Sequence, residues 1–138
     1  MKSLLLAHNA FKKNVEARLR KFGLNPGNPK MLVYISDHEG CRQKDLAETF
    51  YVETCTLSSV LANMEDNRLI ERERAANDKR SYAIYTTPKT KQMIGDIRAQ
   101  FDHSVEVALA GFTDEEATQF REYLARATKN LMQANKNL

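Results

Sequence analysis

The first 22 residues carry apolar side chains at intervals of three and four, the spacing that one face of an α-helix requires. This pattern predicts a helix over residues 3–21, which the glycine- and proline-containing segment FGLNPGNP ends. Asn28-Pro29 then indicates a second, short helix, because proline is tolerated at the first helical position. We expect this helix to end within residues 37–40, where Gly40 is available for a left-handed cap.

Two further helices are predicted close together in the chain, over residues 43–49 and 54–67. The second has one apolar face, made of Leu57, Val60, Leu61 and Met64. The few residues between the two helices allow only a tight turn, as in a helix-turn-helix. An ordinary pair of antiparallel helices has the same spacing, so both interpretations stay open at this point.

The next segment alternates between apolar and polar residues twice, over residues 69–74 and 81–86. Such alternation is typical of β-strands with one buried face. The connecting residues 75–80 include Asn77 and Asp78, which favour turns. We therefore predict a β-hairpin, since a solvated charged loop does not account for the run Tyr-Ala-Ile-Tyr. A helix-turn-helix followed by a hairpin is a winged helix, which gives a mainly α fold of the α+β class.

Two long amphipathic helices are predicted to follow the hairpin. Thr87-Pro88 supplies a cap and a first-turn proline for a helix that extends to about Ala110. Thr113 and Glu116 then form the capping-box pattern that begins the last helix. Together with the first helix, this makes three long helices, and one small winged-helix core cannot cover the apolar faces of all three. A dimer interface built from both chain ends is therefore favoured over an intramolecular bundle.

Length and charge narrow the function classes. The 138 residues fit one domain, and a formal charge of +3, concentrated in residues 1–22 and 68–80, permits a nucleic-acid partner. No apolar run reaches the length of a membrane span, and no signal-peptide cleavage site is present, so we expect no membrane partner. Two cysteines without metal-ligand spacing indicate a reducing cytoplasm.

Catalytic chemistry is not indicated by any motif. The sequence has no glycine-rich phosphate-binding loop, no zinc signature and no set of nucleophile, base and acid. His8, His38 and His103 are scattered, and packing or surface positions account for them. We therefore expect no enzyme activity, no catalytic residue, no metal and no cofactor.

The segment QKDLAETFYVETCTLSSVLANMEDNRLIERERAANDKRSYAIYTT, residues 43–87, resembles the MarR family of winged helix-turn-helix transcriptional regulators. Its wing motif begins with Asp78-Lys79-Arg80, and the segments GLNPGNPKMLVYI and FTDEEATQFREYL also resemble family helix starts. The resemblance implies one domain over residues 1–138, with a winged-helix DNA-binding core at 28–87 and dimerisation helices at 1–22 and 88–138. It also implies a homodimeric repressor on a pseudo-palindromic DNA operator. Many members leave DNA when a small, often aromatic, ligand binds, and some respond to cysteine oxidation.

The chain departs from the family pattern at several positions. They are Arg42 and Glu53 at helix caps, Thr54 for a frequent proline, Arg68 for a glycine, and Thr86 and Thr90 in the closing Leu-Thr-x-x-Gly pattern. These changes are expected to leave helix ends less well capped. Glu53 near a phosphate would oppose binding.

If the apolar face of the fourth helix points inward, a row of short side chains points outward, where the resemblance implies the major groove. The candidates for DNA contact on this helix are Thr54, Cys55, Thr56, Ser58, Ser59 and Asn63. No Lys or Arg occurs in residues 53–67, so base discrimination is expected to be modest.

The candidates outside this helix are mostly basic. Arg80 matches the minor-groove arginine of the family, and Asp78 is expected to orient its guanidinium or to bond Arg72. Arg42, Lys44 and Lys79 are candidates for phosphate contact, with a solvated surface charge as the alternative for each basic residue.

Two effector routes are considered. Cys55 lies in the first turn of the fourth helix, where amide dipoles lower a thiol pKa, and its oxidation would oppose DNA binding. The favoured explanation of Cys55 is structural, as a small side chain that fills a serine position. Cys41 is expected to be a buried small hydrophobe. The aromatic walls of a ligand pocket would come from Phe22, Tyr34, Phe50, Tyr51 and Phe101, although core packing is the default for each.

Two functions from different classes remain. The leading interpretation is a dimeric, sequence-specific DNA-binding regulator. The alternative is a winged-helix module that binds another protein without specific DNA binding. The acidic fourth helix favours the alternative, whereas the basic wing and N-terminal arm oppose it.

Overall fold

The computed structural model describes residues 2–138, apart from the side chain of Lys79. The helices of this part of the chain are α1 (Lys2–Leu19), α2 (Asn28–Asp37), α3 (Gln43–Phe50), α4 (Thr54–Asp66), α5 (Pro88–Ala108) and α6 (Asp114–Asn135). The strands are β1 (Cys41–Arg42), β2 (Ile70–Ala75) and β3 (Asp78–Thr86), and a 3-10 helix at Arg20–Phe22 follows α1. A helix-turn-helix followed directly by a hairpin confirms the predicted winged helix. None of the described helices is long and apolar enough to cross a lipid bilayer.

The three strands form one antiparallel sheet in the order β1-β3-β2. In the hairpin, Arg72 pairs with Ile84 and Arg74 pairs with Tyr82. The outer strand β1 consists of two residues only and pairs with Ile84 and Ala83 of β3. A strand of this length has no alternation of its own, which is why the sequence pattern does not predict it.

The hairpin connection is shorter than the sequence pattern predicts. The predicted connection covers residues 75–80, whereas only Ala76 and Asn77 separate β2 from β3. The register shifts between Arg74 and Ala75, so that Ala75 pairs with Asp78. This irregularity in the pairing, of the kind that a β-bulge produces, lies next to the tip of the hairpin.

The main hydrophobic core lies inside the winged helix. It is formed by buried side chains of α2, α3, α4, the sheet and the turn before β2, namely Met31, Leu32, Ile35, Leu46, Leu57, Leu61, Met64, Leu69, Ile70 and Ile84. Three of the four residues predicted to form the apolar face of α4 are fully buried, and Val60 packs partly buried against the same cluster. Burying one such side chain stabilises the fold by about 1.5–3 kcal/mol. This core therefore fixes which face of α4 is left to solvent.

A second, smaller core joins α1 to α5. Val15, Leu19 and Ile97 are buried there, and Phe22 and Phe101 pack against them. An ion pair also joins α5 to α2, since Arg98 donates to Asp37 at 2.6 and 3.2 Å. The hydrogen bond from the Arg98 guanidinium lowers the pKa of the Asp37 carboxyl.

The chain divides into two compact units after Ser104. The unit of residues 105–138 contains the end of α5 and all of α6. Thr113 accepts a hydrogen bond from the backbone of Glu116, and the Glu116 carboxylate accepts one from the backbone of Thr113. This confirms the predicted capping box at the start of α6. Phe112 and Phe120 pack edge to face, with ring centroids 5.7 Å apart.

Candidate nucleic-acid interface

The outward face of α4 consists of short side chains. All six candidates that the sequence indicates on this helix are exposed: Thr54, Cys55, Thr56, Ser58, Ser59 and Asn63. Leu57 and Leu61 are fully buried on the opposite face and hold the helix in place. A helix with such small outward side chains can approach a groove floor closely, because no long side chain keeps its backbone away.

The serine hydroxyls on this face already donate hydrogen bonds within α4. Ser58 Oγ donates to the carbonyl oxygen of Thr54 at 2.9 Å, and Ser59 Oγ donates to that of Cys55 at 3.4 Å. Gln43, the first residue of α3, reaches across and donates from Nε2 to Ser58 Oγ at 2.7 Å. Sequence reasoning missed Gln43, because the contact joins residues 15 positions apart.

Asn63 also has partners within the protein. Its Oδ1 accepts hydrogen bonds from Asn25 at 3.0 Å and from Asn67 at 3.3 Å. The bond to Asn25 attaches α4 to the loop before α2. Contact of Asn63 with an adenine edge stays a prediction, and such a contact would have to compete with these bonds.

The residues at the two ends of α3, Arg42 and Tyr51, are not the types usually found at helix ends. The Arg42 side chain has only donors and cannot cap α3, but Asp45 Oδ2 accepts from the Arg42 backbone N–H at 2.8 Å. Tyr51 ends α3 with a φ of 52°, in the left-handed region, and its side chain is 59% exposed. Lys44 lies 3.8 Å from Glu48 on the exposed face of α3, a surface pair of little energetic weight.

The wing tip presents Arg80 to solvent. Asp78 Oδ1 accepts a hydrogen bond from the backbone N–H of Arg80 at 2.9 Å. Asp78 therefore orders the backbone of the tip, which corrects the expectation that it orients the Arg80 guanidinium or bonds Arg72. The side chain of Lys79 lies outside the described residues.

The base of the wing is attached to α4 through Arg72. The Arg72 guanidinium donates to Glu65 of α4, and it also lies 5.8 Å from the ring centroid of Tyr82. Arg74 lies 5.9 Å from the same ring on the exposed side of the hairpin. These contacts connect the C-terminal end of α4 to both strands of the wing.

Thr86 and Thr90, which depart from the family motif at the end of the wing, both make hydrogen bonds within the protein. Thr86 donates from its backbone N–H to Glu39 at 3.0 Å, and its hydroxyl also bonds the Glu39 carboxylate. The Thr90 hydroxyl donates to the carbonyl oxygen of Leu69 at 2.6 Å. Arg68 adopts a φ of 57°, a conformation that glycine adopts with less strain.

The two cysteines lie in different environments. Cys55 is exposed on α4, whereas Cys41 is half-buried in β1 rather than fully buried as expected. Burial, with the nearby carboxylates of Asp45 and Glu39, raises the pKa of the Cys41 thiol to about 11. Cys41 therefore stays protonated and weakly nucleophilic at neutral pH.

The five aromatic residues considered for a ligand pocket do not form one cluster. Tyr34 packs edge to face with Phe50 at 5.7 Å, against the winged-helix core. Phe22 and Phe101 belong to the second core, and Tyr51 is exposed. Within the described residues, no group of three or more His, Cys, Asp or Glu could hold a metal ion.

The open depression beside the wing has a mixed lining. Its volume is about 560 Å³, and its walls include Glu65, Arg68, Arg72 and Lys89. None of the five aromatic candidates lines it.

Sequence comparison identifies relatives of this chain. The model of the MarR family matches residues 22–81. The chain is 30% identical over 118 residues to YybA, an uncharacterised HTH-type transcriptional regulator of Bacillus subtilis, with 86% of this chain and 77% of the relative covered. It is also 28% identical over 91 residues to the HTH-type transcriptional regulator BilQ of Clostridioides difficile, covering 66% of this chain and 62% of BilQ.

Solved structures share the fold. A regulator from Listeria monocytogenes assigned to the MarR family, crystallised with a 26mer DNA, superposes with a TM-score of 0.90 at 24% identity, covering 96% of this chain and 89% of that one. The transcriptional regulator SlyA gives a TM-score of 0.87 at 27% identity, covering 96% and 94%. The chain therefore belongs to the MarR family, whose members are DNA-binding transcription regulators and not enzymes.

Proposed function

We propose that this regulator is a cytoplasmic homodimer that binds a pseudo-palindromic DNA operator, acts as a repressor, and leaves DNA when a small ligand binds or a cysteine is oxidised. One observation carries the proposal. The exposed face of α4, made of short polar side chains, is followed directly by a wing that presents Arg80 at its tip.

In the proposed complex, the N-terminal half of α4 enters the major groove. Thr54, Thr56 and Ser58 contact base edges there, and Arg80 enters the neighbouring minor groove. Arg42 and Lys44, at the start of α3, contact phosphates and set the position of the protein on the duplex. A regulator of Listeria monocytogenes with this fold was crystallised with a 26mer DNA, which supports DNA as the partner of this chain.

Exposed apolar side chains at both chain ends support the dimer. On α1, Leu4, Leu5 and Leu6 are 55–64% exposed. In the unit of residues 105–138, the exposed apolar residues include Val107, Phe120, Leu131 and Met132. Apolar surface of this kind is usually covered by a partner, and a twofold dimer would place two α4 helices on two half-sites.

The effector part of the proposal rests on exposure. Cys55 is solvent-accessible on the face of α4 that is proposed to meet DNA. An oxidised Cys55 would add bulk and charge at that contact and so favour release. A small aromatic ligand would act by changing the packing around Tyr34 and Phe50, which are partly exposed beside the core.

The proposal is tested by selecting bound sequences from random duplex DNA with the full-length chain. We expect enrichment of an inverted repeat, with half-sites about one helical turn apart. The affinity for that repeat should fall steeply as salt rises, because phosphate contacts release counterions. Absence of enrichment would refute sequence-specific regulation, and salt-independent binding would refute the phosphate contacts.

A protein-binding module is the second candidate. It is favoured by the acidic character of α4, which has Glu65 and Asp66 and no Lys or Arg within residues 53–67. The same selection separates the two functions, because a protein-binding module enriches no DNA sequence.

A further inference from the structure

We propose that Gln43 and Thr54 hold the Ser58 hydroxyl as a hydrogen-bond acceptor, so that Ser58 selects adenine or cytosine over guanine or thymine. The inference rests on the proposed function, since it requires α4 to lie in the major groove. It adds to that function a specificity-determining residue, Ser58, and a positioning residue, Gln43.

The direction of each hydrogen bond follows from the chemistry of its partner. Ser58 Oγ lies 2.9 Å from the carbonyl oxygen of Thr54, and a carbonyl oxygen only accepts, so the serine proton points to it. Gln43 Nε2 lies 2.7 Å from Ser58 Oγ and 3.3 Å from the same carbonyl. The amide nitrogen must face this pair, because the amide oxygen would otherwise face another acceptor.

After these two hydrogen bonds, the Ser58 hydroxyl has one lone pair left for a base. A hydroxyl group has one proton and two lone pairs. Ser58 gives its proton to Thr54, and one lone pair accepts from Gln43. The remaining lone pair can only accept, although an unconstrained serine both donates and accepts.

Only two bases offer a donor to such a group in the major groove. Adenine presents its N6 amine and cytosine its N4 amine, whereas guanine and thymine present acceptors at their hydrogen-bonding edges. Phosphate oxygens are acceptors as well, so Ser58 in this state contacts a base and not the backbone. Ser58 lies in the second turn of α4 and is exposed, as a base-contacting position requires.

The surroundings of Ser58 do not supply the opposite preference. Lys and Arg are absent from residues 53–67, so α4 has no cationic side chain to bond guanine. Ser59 Oγ also donates to a backbone carbonyl, that of Cys55 at 3.4 Å, so its proton is directed to the helix backbone. The middle of α4 therefore offers acceptors to the groove floor.

The test compares operator preferences of the full-length wild type, Ser58→Ala and Gln43→Met, with Ser3→Ala as a matched control on α1. The base position that loses its preference in Ser58→Ala identifies the contact. At that position we expect wild type to prefer adenine or cytosine by about tenfold, the scale of one mismatched base pair. Replacing that base by its analogue without the exocyclic amine should weaken wild type to the same degree and leave Ser58→Ala unchanged.

Gln43→Met tests how the preference arises. Without the glutamine amide only the bond to the Thr54 carbonyl orients the hydroxyl, which can then turn and donate more often than in wild type. Guanine and thymine should therefore gain affinity relative to wild type. Thermal unfolding of each variant shows whether it is folded, and Ser3→Ala should keep the wild-type preference.

The outcomes separate the two proposals. A Ser58-dependent preference for guanine or thymine, no Ser58-dependent position, or an unchanged preference in Gln43→Met would overturn the inference, while DNA binding by wild type would leave the proposed function standing. If wild type enriches no sequence, both proposals fail.

Discussion

Arg80 stands at the tip of the wing on a backbone that Asp78 orders, so its side chain starts from a defined position. We expect Arg80→Ala to weaken operator binding by at least ~1 kcal/mol, because one groove contact of this size is lost. Fluorescence anisotropy with a labelled operator at fixed salt measures the change. Arg121→Ala, which removes the same charge from exposed α6, should bind almost as wild type. Equal affinities for Arg80→Ala and Arg121→Ala would exclude the wing contact.

The two thiols are expected to react differently at the residue scale. Because the pKa of Cys41 is raised to about 11, this thiol stays protonated at pH 7–9 and becomes a thiolate only as the pH approaches that value. Exposed Cys55 should therefore be alkylated first by iodoacetamide in the folded protein, with peptide mass spectrometry as the measurement. Peroxide should abolish DNA binding of wild type and Cys41→Ser but not of Cys55→Ser. Equal alkylation rates at pH 7, or release of Cys55→Ser by peroxide, would contradict this expectation.

At the scale of elements, Glu65 and Arg72 connect α4 to β2. Since both side chains are partly exposed, we expect Glu65→Gln to change the free energy of unfolding by less than about 1 kcal/mol. The effect on DNA binding should be clear even though the effect on stability is small. We expect the affinity to fall by about threefold to tenfold, because α4 and the wing then lose their fixed relative position. Thermal unfolding and anisotropy measure the two effects.

The control for this pair is Glu16→Gln, which removes an ion pair within α1. A double-mutant cycle of Glu65→Gln with Arg72→Gln should show coupling in DNA affinity, as residues in direct contact do. Additive effects of the two substitutions on affinity would show that the pair has no role in holding the wing.

The spacing of apolar residues predicted the long helices and strands. It did not predict the two-residue strand β1 or the hydrogen bonds between residues far apart in sequence. The alternation of Tyr82 and Ile84 predicts β3, and the spacing of Leu57, Leu61 and Met64, all three buried, predicts the inward face of α4. β1 has two residues, too few for any period to appear. The bond from Gln43 to Ser58, like that from Thr86 to Glu39 across 47 positions, depends on how finished elements pack. The exposure of the candidate residues on α4 was thus predictable, but the hydrogen bonds that Ser58 and Thr86 make were not.

At the scale of the whole molecule, the apolar surface of the chain ends is expected to hold two copies together. Leu131 of α6 is 55% exposed, and Leu131→Glu would place a carboxylate in the proposed interface. We expect the dimer dissociation constant to rise about tenfold or more, as for a central interface residue. DNA affinity should fall with it, because a single subunit contacts one half-site. Light scattering over a concentration series and anisotropy with the operator measure both quantities.

Gln133→Glu gives the matched control for Leu131→Glu, since it adds the same charge to an exposed position of the same helix. It should leave the dimer and its DNA affinity close to wild type, because a polar side chain is replaced there by another. Leu5→Glu on α1, where the leucine is 63% exposed, tests the other chain end independently. If wild type is monomeric at micromolar concentration, or if both leucine variants stay dimeric with full affinity, the chain ends do not form the interface. Loss of the dimer in only one variant would restrict the interface to that chain end.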